Sequence, residues 1–250
     1  MKYFGGKGGA GVFHTILRNI PEHRVYIEPF AGGANIFERK IRAERSLLIE
    51  LCPVQFERLR SGIVGDDVEI LNADCMDILQ GFRWTGFEFL YVDPPYLQRT
   101  RTSKARYAFE YDDAGHEKLL SWLANLSVPF ALSGYRSAIY DDASSSNGWR
   151  RVDFPAMTRG GARVESLWCN YPLPSRIADP AYAGSDFRDR QRIKRKADRW
   201  VARFSALPTL ERQAIVSELV SARIVTGDYA GSPSPVAEAG YDDAARSVVA

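Results

Sequence analysis

Asp93-Pro94-Pro95-Tyr96 stands directly after the apolar run Phe89-Leu90-Tyr91-Val92. A strand ending this way delivers a carboxylate, a fixed carbonyl and an aromatic ring to the C-terminal edge of a sheet, where open α/β sheets bind their ligands. Neither proline has a backbone N–H, and each restricts its own φ and the residue before it. The Pro94 carbonyl is thereby withheld from a strand ladder. Two acceptors and a ring suit one task, holding a planar exocyclic amine while its base stacks. Alone, the tetrapeptide also fits a proline-rich turn closed by a surface tyrosine, so the flanking elements must decide.

Those elements alternate. The pattern predicts strands at Val25–Glu28, Leu47–Glu50, Glu69–Ala73, Phe87–Val92, Phe130–Ser133, Arg151–Phe154 and Val164–Asn170. It predicts helices at Val12–Asn19, Asn35–Ala43, Pro53–Ser61 and Ala114–Leu126, the last with Leu119, Leu120, Leu123 and Leu126 as a core-facing stripe. Strands alternating with helices imply a mostly parallel, covered sheet. The final pair, joined through Pro155–Arg163 with Gly160-Gly161, reads as a hairpin. The expected fold class is therefore α/β, Rossmann-like, with a terminal antiparallel hairpin. The expected organisation is a domain over 1–173, a linker over 174–187, a basic helical appendage over 188–225 and a tail over 226–250 whose Gly, Ser, Pro, Ala and Asp content predicts disorder.

Composition narrows the class. At 250 residues and 45% apolar content the chain can bury a sizeable core, and its net charge is only +2. Cys52, Cys75 and Cys169 form no CxxC pair, and His14, His23 and His116 lack ligand spacing. Neither a disulfide framework nor a metal site is expected. The start Met1-Lys2-Tyr3-Phe4-Gly5-Gly6-Lys7 has no signal-peptide apolar stretch, and no run is long enough to cross a membrane. A cytoplasmic monomer is the expectation.

Acidic residues punctuate the strand ends. Glu28-Pro29-Phe30-Ala31-Gly32-Gly33-Ala34-Asn35 follows the first strand, Glu50 ends the second and Asp74 closes the third. The glycines allow close backbone approach of a ligand, yet this is not the G-x-G-x-x-G fingerprint, which disfavours a nicotinamide cofactor. Successive carboxylates make a poor pyrophosphate cradle and a good site for a cationic, ribose-bearing ligand. S-adenosyl-L-methionine is such a ligand.

These motifs together resemble the Dam-like DNA adenine methyltransferases, especially the short phage and prophage forms. The likeness is carried in order by Tyr3-Phe4-Gly5-Gly6-Lys7, Tyr26-Ile27-Glu28-Pro29-Phe30-Ala31-Gly32-Gly33, Asp93-Pro94-Pro95-Tyr96, Leu132-Ser133-Gly134-Tyr135 and Glu165-Ser166-Leu167-Trp168-Cys169-Asn170-Tyr171, and covers roughly residues 1–173. The resemblance implies that Tyr3, Phe4 and Lys7 belong to an N-terminal cofactor motif. It implies that Glu28 and Gly32 line the methionine end, Phe30 also binds the cofactor, Glu50 takes the ribose, and Asp74 meets the cofactor's adenine. Leu51-Cys52 after Glu50 departs from the family's usual Asp-Ile-Asn type of run. Asp93, Pro94, Pro95 and Tyr96 would be catalytic, with Asp93 also facing the cofactor and Tyr96 stacking on a flipped base of double-stranded DNA.

Phosphate contacts are expected from the basic segment after the motif, through Arg99, Arg101, Lys104 and Arg106, which has no acid until Glu110, and from Arg159 and Arg163 in the hairpin. Arg188–Arg203 holds eight Lys or Arg against two Asp, which fits either a solvated face or a DNA grip. Asp at the head of the motif favours adenine. Methylation of a cytosine amine, an RNA base or a protein glutamine uses similar chemistry, and a catalytically silent DNA-binding module would keep the same fold.

Overall fold

The computed structural model describes residues 6–9, 11–101, 109–158 and 161–225. The chain divides into two units between Ala183 and Gly184. The first is built on a seven-stranded sheet: β1 (Val25–Glu28), β2 (Arg45–Ile49), β3 (Val68–Leu71), β4 (Glu88–Val92), β5 (Phe130–Gly134), β6 (Arg150–Thr158) and β7 (Gly161–Cys169), ordered β3-β2-β1-β4-β5-β7-β6. The first five are mutually parallel. β7 runs antiparallel to both β5 and β6. This is the Rossmann-like sheet with a terminal hairpin that the pattern predicts.

Residues alternate between two cores because successive side chains of a strand point to opposite faces. Tyr26, Leu48, Phe89 and Tyr91 pack with Val12, Ile16 and Leu17 of α1 (Val12–Asn19) on one face. Ile27, Ile49, Leu90, Val92 and Trp168 pack on the other against α3 (Cys75–Leu79), α4 (Asp113–Ala124) and α5 (Ala138–Ser146). All five residues of β4 are buried, as expected of a strand covered on both faces. Of the expected leucine stripe, Leu119, Leu120 and Leu123 are buried on α4.

Three local expectations are corrected. Asn35–Ala43 is not a helix but a series of turns, entered through Ala34 at φ 47°, outside the right-handed region, and closed by bonds from the Arg39 and Lys40 N–H groups to the Ile36 carbonyl. Two helices went unread. α3 is too short to show a period, and α5 buries only Tyr140 and Ser144, so it shows no apolar stripe. The segment read as a linker from 174 packs on the first unit through Ala183. Ile177 bridges to Pro21, the Ala178 N–H bonds the Ile20 carbonyl at 2.9 Å, and buried Asp179 caps the turn Pro180–Tyr182. The hairpin also extends farther than expected, from Arg150 paired with Cys169 to Thr158 paired with Gly161.

The second unit contains α6 (Phe187–Ser205) and α7 (Thr209–Ser221). The tail expected over 226–250 lies outside the described residues.

Gly134 ends β5 beneath two aromatics. A Cβ there would lie 3.2 Å from both Trp168 and Tyr140, which are 0% and 2% exposed and have no room to withdraw. Gly134→Ala should therefore destabilise the fold by about 1–3 kcal/mol, read as a lower urea midpoint at unchanged slope.

Candidate nucleotide-binding cleft

The strand order reverses between β1 and β4, since the chain continues to β2 on one side and β5 on the other. Ligands of open α/β sheets bind outside the C-terminal ends of strands at such a reversal. Glu28 ends β1 there and Asp93 follows β4. Lys7, Glu28, Phe30, Gly32, Glu50, Asp74, Asp93, Pro94 and Pro95 all line one open cleft. Tyr96, next along the chain, is only 7% exposed and does not line it.

The loop after β1 is pinned from below. Gly32, at φ 51°, donates its N–H to Glu50 Oε2 at 2.8 Å, and its carbonyl accepts from Gln55 Nε2 at 2.6 Å. Glu50 Oε1 accepts the Cys52 N–H at 2.8 Å, at the start of α2 (Pro53–Gly62). Burial raises the Glu50 carboxyl above the usual range, while these two N–H groups pull the other way. Each oxygen retains lone-pair capacity for a hydroxyl from the cleft. Asp74 caps α3 by accepting the Met76 N–H at 2.8 Å.

Glu28 is buried and accepts from the Tyr26 hydroxyl at 2.9 Å. Burial, with Asp93 adding repulsion, pushes its carboxyl up to about 8. Asp93 is pushed up to about 6, chiefly by burial, with Lys7 opposing and Glu165 reinforcing the rise. Lys7, 5% exposed, lies 2.9 Å from Asp93 Oδ1 and 3.5 Å from Glu165 Oε2, and donates to the Tyr96 hydroxyl. That hydroxyl donates to Glu165 Oε2 at 3.0 Å. The Tyr96 ring meets Tyr135 edge-on at 4.7 Å, with the Arg163 guanidinium 4.3 Å from the Tyr135 centroid. Pro95 is backed by His116, whose Nδ1 bonds the Tyr140 hydroxyl at 2.9 Å. Burial lowers that imidazole to about 4, so it is neutral near pH 7.

The basic residues fare differently. Arg99 is half-exposed and 3.3 Å from Asp113. Arg101 is 8% exposed and bonded through both terminal nitrogens to Glu110, so the reading of it as a phosphate contact is corrected. The acid that ends the basic segment folds back to neutralise its first buried arginine. Arg163 donates to the Thr100 carbonyl at 2.8 Å, bracing the loop after the motif. Tyr3, Phe4, Lys104, Arg106 and Arg159 lie outside the described residues.

Sequence reasoning assigned no role to Glu165, though it heads a quoted motif, nor to Phe109 and Tyr111, which also line the cleft. Tyr111 meets Phe30 edge-on at 5.5 Å, adding a second aromatic to the wall. Among the described residues, no His, Cys, Asp and Glu group is arranged to hold a metal ion, and no helix is long and apolar enough to cross a membrane.

No family model matches the chain, and no curated protein matches it. Solved structures that are similar in architecture include M. capricolum TrmK with S-adenosylhomocysteine, at 4% identity, covering 85% of this chain and 95% of that one, with a TM-score of 0.45. An rRNA methylase from Streptococcus thermophilus is 13% identical, covering 63% and 93% of the two chains, with a TM-score of 0.41. The N-terminal domain of human METTL16 with S-adenosylhomocysteine is 11% identical, covering 60% and 62%, with a TM-score of 0.39.

Proposed function

We propose that this chain methylates the exocyclic amino group of adenine in double-stranded DNA, using S-adenosyl-L-methionine. The observation that carries the reading is the shared cleft. Asp93 and the Pro94–Pro95 turn line the same space as Glu28, Gly32, Glu50 and Asp74. The donor set fits the cofactor on chemical grounds, since buried carboxylates at Glu28 and Asp93 favour a cation and Glu50 can accept from ribose hydroxyls. Phe30 and Tyr111 offer apolar surface for a flat ring.

When bound, the cofactor supplies an electrophilic methyl group on a good leaving group. The protein's share is alignment and electrostatics. An exocyclic amine is a weak nucleophile because its lone pair is delocalised into the ring. The Asp93 carboxylate, held by Lys7 and Tyr96, would accept one amine hydrogen while the Pro94 carbonyl accepts the other. Both bonds favour a pyramidal nitrogen. A base inside a duplex must be extruded to reach them, and Tyr96, anchored by Glu165 and Lys7, is the ring assigned to stack on it.

The charge state of Glu28 gives a prediction. Its folded value, raised to about 8, leaves it largely protonated at pH 7. A cationic ligand favours the carboxylate, so binding should release a proton from Glu28, and affinity should rise with pH between about 6 and about 8 before flattening. Titration calorimetry at pH 7 in buffers of different ionisation enthalpy should then report proton release. A binding enthalpy independent of buffer would contradict this.

The substrate class is tested by incubating the protein with methyl-labelled cofactor and unmethylated duplex DNA, RNA or no polymer. Label in DNA is expected. Label in RNA alone, or in neither despite calorimetric cofactor binding, would overturn the reading.

A further inference from the structure

Five arginines of α6, namely Arg188, Arg192, Arg195, Arg199 and Arg203, follow one another at steps of four, three, four and four residues. This spacing places them in one line along a helix, over about 22 Å at 1.5 Å per residue. All five are exposed. The helix has two acids, Asp189 and Asp198, and these pair with Arg192 and Lys194. Among the described residues, Arg188, Arg195, Arg199 and Arg203 have no acidic partner. A solvated helix face normally mixes signs so that neighbours a turn apart attract. Here like charges repeat a turn apart, which disfavours the helix unless an anion screens them. The whole chain nets only +2 while α6 holds eight Lys or Arg against two Asp, so the remainder is net acidic. The positive charge is concentrated where this line runs.

We propose that the arginine line of α6 is a binding surface for the phosphate backbone of duplex DNA, a contact separate from the cleft. It rests on the proposed function only for the choice of DNA as the polyanion. Arginine forks match phosphate oxygens in pairs, and Lys196, one turn from Arg192 and from Arg199, adds a further cation beside the line. The alternative of an anionic membrane fits less well. Seating in lipid needs a free apolar face, and Ile193 and Phe204 on the apolar side of α6 are already partly buried within the protein. The contact is to backbone, so it supplies affinity without sequence choice.

The test compares the full chain with a variant carrying Arg188→Gln, Arg195→Gln, Arg199→Gln and Arg203→Gln. Glutamine keeps helix propensity, and circular dichroism confirms unchanged helix content. Binding is measured by fluorescence anisotropy on a duplex of G·C pairs only, which offers no adenine, so the result does not depend on methyl transfer. The slope of log affinity against log salt should fall by about 3 to 4, at roughly 0.9 per lost phosphate contact. Affinity near 0.1 M salt should fall at least about tenfold. Unchanged slope and affinity would overturn the proposal. So would a loss confined to phosphatidylserine vesicles or to an RNA duplex. A loss of DNA affinity in a protein that methylates nothing would uphold this surface and refute the cleft's proposed activity.

Discussion

Asp93→Ala should lower single-turnover methyl transfer by about a hundredfold to a thousandfold, the range seen when one preorganised polar partner of a reacting group is removed. The fold should survive. Lys7 would still contact Glu165 and the Tyr96 hydroxyl, so no buried cation is stranded. Asp93→Asn is the sharper variant because it keeps the shape and removes the charge. The acceptor is the ionised carboxylate and its folded value is raised to about 6. With cofactor saturating, so that the Glu28 titration does not enter, wild-type kcat/KM for DNA should therefore climb as pH rises through about 6 and level off above it. Asp93→Asn should lose that step. A variant with undiminished transfer, or a wild-type profile flat from pH 5 to 8, would remove Asp93 from the chemistry.

The second large effect is on stability. In Lys7→Met, Asp93 and Glu165 face each other without the cation that lies 2.9 Å from one and 3.5 Å from the other. Breaking a buried charge group by deleting one partner typically destabilises by about 3–5 kcal/mol. The sign with pH follows from the carboxyls. Deprived of Lys7, Asp93 has its folded value pushed higher than in the wild type. The folded state then binds more protons than the unfolded chain, and stability falls as pH rises above the ordinary carboxylate range. Urea unfolding should show the full loss at pH 8 and a smaller one at pH 5.5. Adding Glu165→Gln should recover part of the pH 8 loss, because one of the two repelling charges is gone. Equal destabilisation at both pH values, or no recovery in the double variant, would contradict this.

What the sequence disclosed and what it hid divide along chain distance. Strands covered on both faces, such as Phe89–Val92, announce themselves as unbroken apolar runs, and the carboxylates at strand ends could be placed because a parallel sheet gathers its strand ends at one edge. That the residues named from separate motifs line one cleft follows from the reversal between β1 and β4. The group around Lys7 was illegible, because Tyr96 and Glu165 are 69 positions apart and Lys7 and Tyr96 are 89 apart. No local period reports such meetings. The basic loop misled for the opposite reason. A run without an acid looked like free positive charge, yet Arg101 reaches Glu110 nine positions on and is buried there. The expected helix at Asn35–Ala43 survives only as turns, closed by bonds from Glu38 to the Ala34 carbonyl and from Lys40 to the Ile36 carbonyl, which a side-chain pattern does not tell apart from a full helix.

The central claim concerns which atom receives the methyl group. The direct measurement is mass spectrometry of nucleosides from unmethylated duplex DNA incubated with the protein and S-adenosyl-L-methionine, with Asp93→Ala in parallel. The account predicts deoxyadenosine methylated at its exocyclic nitrogen, and little or none with the variant. Methylated cytosine in its place, methyladenine formed equally by Asp93→Ala, or no methylated nucleoside at all would contradict it.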